Sequence, residues 1–268
     1  MSTAIDRFRH LHESGCFVLP NPWDIGSARF LVHLGFPALA TTSAGFAWSI
    51  GRSDNHITLE EALAHLRVMA SAVDVPINAD FEGGFAVEPE GVAANVAAAA
   101  ATGIAGLSIE DSTGDKDNPL FDFDLAVRRI KAAREALDRS GTGVLLVGRS
   151  EGFIAGRPDL GETIRRLVAY SAAGADCLYA PGLRSMDDIK AVVDAVAPKP
   201  VNVNTGSEFT TLADLAAIGV RRISTGGALA RTAWTGFIAA AKEIADHDTF
   251  AALGRTVPGA EINAFFKP

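Results

Sequence analysis

Pro76-Ile77-Asn78-Ala79-Asp80-Phe81-Glu82-Gly83-Gly84-Phe85 sets an apolar run ahead of one carboxylate, a second carboxylate two residues on, and then paired glycines. Such a run reads as a buried strand that empties into a tight turn, with its acids at the carboxyl end. The pattern returns downstream. Gly106-Leu107-Ser108-Ile109-Glu110-Asp111 also ends in acids, and Val144-Leu145-Leu146-Val147-Gly148-Arg149-Ser150-Glu151 ends in an arginine and an acid. Three apolar strands that deliver charge at the same end describe one functional face assembled from successive strands.

Working outward from that stretch, short apolar runs alternate with longer, alanine-rich amphipathic ones. Strands are expected near 17–19, 38–42, 76–80, 106–110, 144–148, 177–180, 201–203 and 222–224. Helices are expected near 24–34, 59–71, 89–101, 123–139, 159–173, 185–196, 212–218 and 227–245. Pro89 and Asp159 suit first-turn or capping positions, and Gly35, Gly103, Gly174 and Gly219 suit helix stops. Eight such units in series make an α/β fold of the (β/α)8 TIM-barrel type the economical answer, with a doubly wound open sheet as the alternative. No linker divides residues 1–268, so a single barrel domain is expected. Residues 246–268 exceed what closure needs and are expected as a C-terminal helical extension packed outside the barrel or on a neighbouring subunit.

Composition narrows the function classes. A chain of 268 residues, 48% hydrophobic, can bury a large core. A net charge of −8 argues against nucleic-acid and anionic-membrane partners. The longest apolar stretch, 92–101, is too short to span a bilayer. Charged residues at Asp6, Arg7 and Arg9 stand where a signal peptide needs its apolar region. Cys16 and Cys177 lie in apolar runs without metal-ligand spacing, as reduced core thiols do. A cytoplasmic protein is expected.

In a barrel the loops after the strands carry the function, so strand ends matter most. Strand 2 delivers Thr41-Thr42-Ser43-Ala44-Gly45 and a long loop with Arg52 and Asp54; strand 3 delivers Asp80 and Glu82, strand 4 Glu110 and Asp111, strand 5 Arg149 and Glu151. One acid at a strand end can simply cap a helix or pair with a base, and Arg149 can serve as structural partner to Glu110 or Glu151. Several acids converging on one face repel one another, and a hard divalent cation relieves that repulsion. An all-oxygen set with no nearby histidine favours Mg²⁺, with Mn²⁺ as its substitute, over Zn²⁺. The six histidines show no triad or ligand spacing. Ser224-Thr225-Gly226-Gly227 is the nearest approach to a glycine-rich phosphate loop, and four residues are weak evidence.

Taken together, these residues resemble the isocitrate lyase/phosphoenolpyruvate mutase superfamily over most of the chain. Asp80-Phe81-Glu82-Gly83-Gly84-Phe85 matches the family's acid-x-acid metal motif, and Ile109-Glu110-Asp111 its "IED". Gly148-Arg149-Ser150-Glu151-Gly152-Phe153 is similar to its strand-5 motif, with glycine for both alanines. Thr42-Ser43-Ala44, followed by Gly51 and Asp54, is similar to its substrate-binding turn.

The resemblance implies a Mg²⁺-dependent, phosphoenolpyruvate mutase-like enzyme that makes or breaks a C–C or P–C bond beside a 2-oxo or 2-hydroxy carboxylate, through a pyruvate-type enolate. Asp80 would ligate the metal, while Glu82, Glu110 and Asp54 would hold its waters. Arg149 and the backbone of Ser43 and Ala44 would take the carboxylate or phosphonate substrate. The Lys-Lys-Cys-Gly-His run of isocitrate-type lyases is replaced by Ser112-Thr113-Gly114-Asp115-Lys116-Asp117-Asn118-Pro119, so the isocitrate branch is not expected. Lys116 and Asn118 instead match the phosphomutase gating loop and, with Arg149, are the candidate catalytic residues. Residues 112–122 would act as a lid that brings Lys116 or Asn118 inward. Two departures stand out: Ser112 replaces a lysine common in mutases, and Tyr179-Ala180-Pro181-Gly182 lacks the histidine of strand 6. A 2-oxoacid decarboxylase or C–C lyase with an oxaloacetate-like substrate is the alternative. From another class, the alternative is a non-catalytic dicarboxylate-binding barrel. The resemblance also implies a homo-oligomer, tetramer or dimer, that exchanges a C-terminal helix; Phe250, Leu253, Phe265 and Phe266 of the tail would need such cover.

Overall fold

The computed structural model describes residues 3–266. In chain order the elements are α1 (Ala4–Leu11), β1 (Phe17–Leu19), α2 (Ile25–His33), β2 (Leu39–Ala40), α3 (Ser43–Ser49), α4 (Leu59–Ala72), β3 (Ile77–Asp80), α5 (Pro89–Ala100), β4 (Gly106–Glu110), α6 (Phe123–Ser140), β5 (Leu145–Arg149), α7 (Leu160–Ala172), β6 (Cys177–Tyr179), α8 (Met186–Val196), β7 (Val201–Asn204), α9 (Leu212–Ala217), β8 (Arg222–Ser224), α10 (Ala228–His247), a 3-10 turn (Ala251–Arg255) and α11 (Gly259–Phe265). The strands are parallel and ordered β1-β8-β7-β6-β5-β4-β3-β2. At the remaining seam the Ala40 N–H donates to the Pro20 carbonyl at 3.1 Å. The sheet is therefore a nearly closed barrel ringed by helices, the (β/α)8 fold, and not an open doubly wound sheet.

Strand burial explains the long apolar runs. Helices cover the outer face of a parallel barrel while its lumen is filled by side chains, so both faces are dry. Leu107, Ile109, Leu146 and Leu178 point outward into a core shared with Leu66, Met69, Val96, Ile130 and Leu167. Inward-facing residues follow one another across the register: Glu110 beside Arg149, Arg149 beside Tyr179, Tyr179 beside Asn202, Asn202 beside Arg222, Arg222 beside Phe17. That row runs from an acid at the strand-end mouth to a phenyl ring at the floor. Helix α1 closes the floor with Phe8, which is wholly buried and meets the Phe17 ring edge-on at 6.4 Å.

Strand 2 is shorter than its apolar run predicts, and the reason is local. Thr42 leaves the ladder to cap α3, its hydroxyl accepting from the Gly45 N–H at 3.2 Å. Gly45 is required there, because a Cβ would lie 2.7 Å from Thr42 Cγ2 and 2.9 Å from Trp23 Cβ. The extension divides in two. Helix α11 lies on α2 of its own chain, with the Phe265 ring 4.8 Å from Phe30. Helix α10 buries only Ala230 and leaves Trp234, Phe237, Ile238 and Ile244 exposed, as are Phe250, Leu253 and Phe266 after it. No helix among the described residues is long and apolar enough to cross a membrane.

Candidate active site

The strand ends open into a cavity of about 440 Å³ lined by Ser43, Ala44, Asp54, Asp80, Glu110, Arg149 and Glu151 from the expected set. Arg149 is its hub. Its Nη1 stands 3.1 Å from Asp80 Oδ1 and 3.2 Å from Glu110 Oε2, and its Nε donates to Glu151. Burial opposes the charge of this guanidinium, but Glu151, Glu110 and Asp80 more than offset that and hold its pKa well above the usual value. Arg149 is thus both structural partner and cavity cation.

Asp80 is fixed from the other side by the turn after β2. Its Oδ2 accepts from the Ser43 N–H at 3.0 Å and from the Ser43 hydroxyl at 2.9 Å, while its own N–H donates to Thr41 Oγ1. The Ser43 amide expected to meet a substrate carboxylate therefore meets a protein carboxylate here. The remaining acids are crowded. Burial pushes Glu110 up, against the pull of Arg149, and Glu151 and Asp80 push it further. Glu151 is likewise raised by burial, with Arg149 opposing. Asp54 lies on an exposed stretch, yet its carboxyl is pushed up by desolvation and then by Asp80.

Glu82 sits differently. It is not among the residues that line the cavity, and its backbone is in the left-handed region at φ +46°, a costly setting for a residue with a Cβ. Burial, then Asp80 and Asp54, push its carboxyl to about 8, and its buried Oε1 has no hydrogen-bond partner among the described residues. Carboxylates that raise one another, one of them with an orphaned oxygen, form an all-oxygen donor set that suits a hard divalent cation. Among the described residues, no three His, Cys, Asp or Glu side chains already stand as a ligand cluster; Arg149 stands between the acids.

Three expected positions resolve otherwise. Asp111 does not join the acid face. Its buried carboxylate accepts from the Glu151 N–H at 2.7 Å, from Tyr170 Oη at 2.6 Å and from Arg166 Nη1 at 3.1 Å, tying the end of β4 to β5 and α7. Lys116 and Asn118 are exposed and do not line the cavity. Their loop is a small hairpin: Ser112 bridges Leu120, the Thr113 N–H donates to the Pro119 carbonyl at 3.0 Å, and the Asp117 N–H donates to Asp115 Oδ1 at 2.9 Å. Ser112, at the hairpin's root, does line the cavity.

Two positioning residues escape the strand-end pattern. Arg129, on the buried face of α6, donates to the carbonyls of Gly83, Ala86 and Val87, and its guanidinium lies 3.9 Å over the Phe121 ring. It clamps the turn after β3 to the root of the hairpin; burial lowers its pKa to about 10. The signal was an arginine within the apolar stripe Ala126, Ile130, Ala133. Asn21 closes the barrel rim: its Nδ2 donates to the Thr41 carbonyl at 2.8 Å, and its Oδ1 accepts from the N–H groups of Thr225 and Gly226 at 2.9 Å each.

A family model described as phosphoenolpyruvate phosphomutase matches residues 8–245. A crystal structure from Burkholderia cenocepacia J2315, of a protein proposed to be a lyase or mutase, is 46% identical, with a TM-score of 0.95 over 98% of this chain and 96% of that one. A crystal structure of 2,3-dimethylmalate lyase is 26% identical, with a TM-score of 0.87 over 99% of this chain and 95% of that one. The oxaloacetate decarboxylase of Bradyrhizobium diazoefficiens is 30% identical over 91% of this chain and 82% of its own length.

Proposed function

The chain belongs to the phosphoenolpyruvate phosphomutase family of lyases and mutases, and from that membership we propose a divalent-metal-dependent enzyme, Mg²⁺ first and Mn²⁺ as substitute, that makes or breaks a bond beside the carbonyl of a 2-oxo or 2-hydroxy carboxylate. The observation that carries the reading is the convergence of Asp54, Asp80 and Glu110 with Arg149 in one cavity. Asp80 would hold the cation directly, with Glu82, Glu110 and Asp54 around its water shell. The cation would supply electrostatic stabilisation of the negative charge that develops on the carbonyl oxygen as the adjacent bond breaks.

The chain's own residues supply the rest. Arg149 is pre-charged, desolvated and fixed through Nε on Glu151, so it stabilises an enolate at low reorganisation cost. Tyr179, whose ring lies 5.1 Å from the Arg149 guanidinium, lines the cavity and accepts from Asn204 Nδ2 at 3.0 Å, so its own O–H would be the group to donate to a substrate oxygen. The buried walls on β4 and β5 restrict water, which would otherwise protonate the enolate. A lid made by residues 112–122 would complete that exclusion by bringing Lys116 or Asn118 inward.

Between the two chemistries, the C–C lyase or decarboxylase reading draws support from the relatives named oxaloacetate decarboxylase and 2,3-dimethylmalate lyase. It also draws on Ser112 in the cavity with Lys116 and Asn118 in solvent. The P–C reading needs the hairpin to rearrange. The deciding experiment is turnover of oxaloacetate and of phosphonopyruvate with and without Mg²⁺. Metal-dependent consumption of either establishes the enzyme and its branch, and binding without turnover of both returns the protein to a dicarboxylate binder. A homo-oligomer, tetramer or dimer, belongs to the same proposal, because a second copy would cover the apolar face of α10.

A further inference from the structure

Asp54 reaches the cavity by a route unlike that of the other acids. Asp80 and Glu110 end β3 and β4, and Glu151 follows β5 directly, whereas Asp54 rides on residues 51–56, an exposed stretch of the loop between α3 and α4. Its side chain makes one hydrogen bond among the described residues, Oδ1 accepting from the N–H of the adjacent Asn55 at 3.0 Å. No barrel residue holds this carboxylate, so its place at the cavity depends on the shape of the loop. That loop turns through the left-handed region at Gly51, φ +74°, and at Asn55, φ +62°. For a residue with a Cβ the ordinary regions are more favourable, so a released loop has other shapes open to it.

Arg52 sets that shape. Its N–H donates to the Ala47 carbonyl of α3 at 2.8 Å. Its guanidinium bridges two further points, Nη1 donating to the His56 carbonyl at 3.1 Å and Nη2 to Glu61 Oε1 at 2.6 Å. The His56 ring completes the loop, with Nδ1 2.8 Å from the Asp54 carbonyl. The anchor is firm: Glu61 Oε2 accepts from the Thr58 N–H at 2.8 Å, and the Glu61 N–H donates to Thr58 Oγ1 at 3.2 Å, a reciprocal cap on α4. That cap is complete without Arg52, so helix stability does not account for the arginine. Nor does the ion pair as such, because both side chains are partly exposed and pairs of that kind contribute little. What the planar guanidinium adds is direction, two bonds from one rigid fork. We infer that Arg52 is a positioning residue, which by tying the His56 carbonyl to Glu61 holds the Asp54 carboxylate at the water shell of the cation. The inference rests on the proposed function, which gives Asp54 that task.

The test is the Mn²⁺ affinity of the full chain, read from the paramagnetic resonance signal of the free ion, with thermal unfolding measured alongside. It compares the wild type with Arg52→Gln, Asp54→Asn and the double variant. Asp54→Asn should weaken Mn²⁺ binding about tenfold, as loss of an outer-shell partner does, and Arg52→Gln about threefold or more. The melting temperature of Arg52→Gln should stay within about 2 °C of the wild type, because the lost ion pair is partly exposed. In the Asp54→Asn background the arginine substitution should change the affinity by less than about 1.5-fold, since the group it acts through is gone. A larger fall in melting temperature, wild-type affinity in Arg52→Gln, or the same loss in both backgrounds overturns the role of Arg52 and leaves the proposed function standing. Undiminished Mn²⁺ binding in Asp54→Asn, or none in the wild type, overturns the proposed metal site at Asp54 and this inference with it.

Discussion

Replacing Asp111 by alanine removes a carboxylate that is 2% exposed and stranded between three donors. Arg166 keeps only Glu162 as an acidic partner, at 2.7 Å through Nε, and its Nη1 retains the Phe121 carbonyl. The Tyr170 hydroxyl and the Glu151 N–H lose their acceptor altogether. Removing one member of a buried ion pair costs about 3–5 kcal/mol, because the surviving charge stays desolvated. The two orphaned donors add to that, though not as a simple sum. Against a total stability of about 5–15 kcal/mol, this is a large fraction. The apparent melting temperature should fall by about 10 °C or more. Asp111→Asn keeps one acceptor oxygen but turns an amide N–H₂ toward a donor, so it should recover only part of the loss. Urea unfolding followed by circular dichroism measures both variants. A loss below about 1 kcal/mol for the alanine variant would refute the assignment of Asp111 as the structural tie between β4, β5 and α7.

Other expectations follow from the same geometry. Asp80→Ala should abolish metal-dependent turnover while far-UV circular dichroism stays native; undiminished turnover in that variant, or in chelator-treated enzyme, sinks the metal assignment. Lys116→Ala or Asn118→Ala, made separately, should lower kcat and kcat/KM by about 10²-fold in at least one variant if the hairpin closes as a lid; losses of only a few-fold in both would leave the hairpin as ordinary surface and remove the phosphomutase branch. Light scattering at micromolar concentration should show an oligomer, and Phe237→Glu on α10 should shift it toward monomer; a monodisperse wild-type monomer refutes the assembly. His12 is held at about 3 by burial and by Arg222, and His65 at about 4 by burial against the Phe46 ring. Both bind protons less readily folded than unfolded, so their contribution to stability is complete above about pH 6.5 and is lost as pH falls toward those values. Each adds up to about 1.4 kcal/mol per pH unit to the acid slope, and His65→Gln should flatten it; an unchanged slope refutes the assignment for His65.

The fold was legible because a barrel imposes the same constraint eight times. Each strand is dry on both faces and each helix on one, so apolar runs and amphipathic runs alternate with little ambiguity. The misreadings occurred where a side chain takes over a backbone task. Thr41 and Thr42 look like strand, yet the one accepts from the Asp80 N–H and the other caps α3. At the β1–β2 seam, the Asn21 side chain makes bonds that ladder amides make elsewhere, and one asparagine carries no periodic signal.

In the site, position along a strand indicated which residues arrive at the mouth but not which way each one turns. Glu110 and Asp111 are neighbours at the end of β4, so alternation sends them to opposite sides. Glu110 enters the cavity and Asp111 enters the wall, where Arg166 and Tyr170 wait from α7, more than 50 residues later in the chain. Such a partner is invisible until the helix has packed. Arg129 repeats the lesson from the helix side. Its place in an apolar stripe is anomalous for a charge, and the anomaly is resolved by three backbone carbonyls that a tight turn leaves without strand partners. A buried arginine is tolerated only where acceptors are fixed around it. Arg149 meets that condition inside the cavity, with three acids of its own chain around the guanidinium.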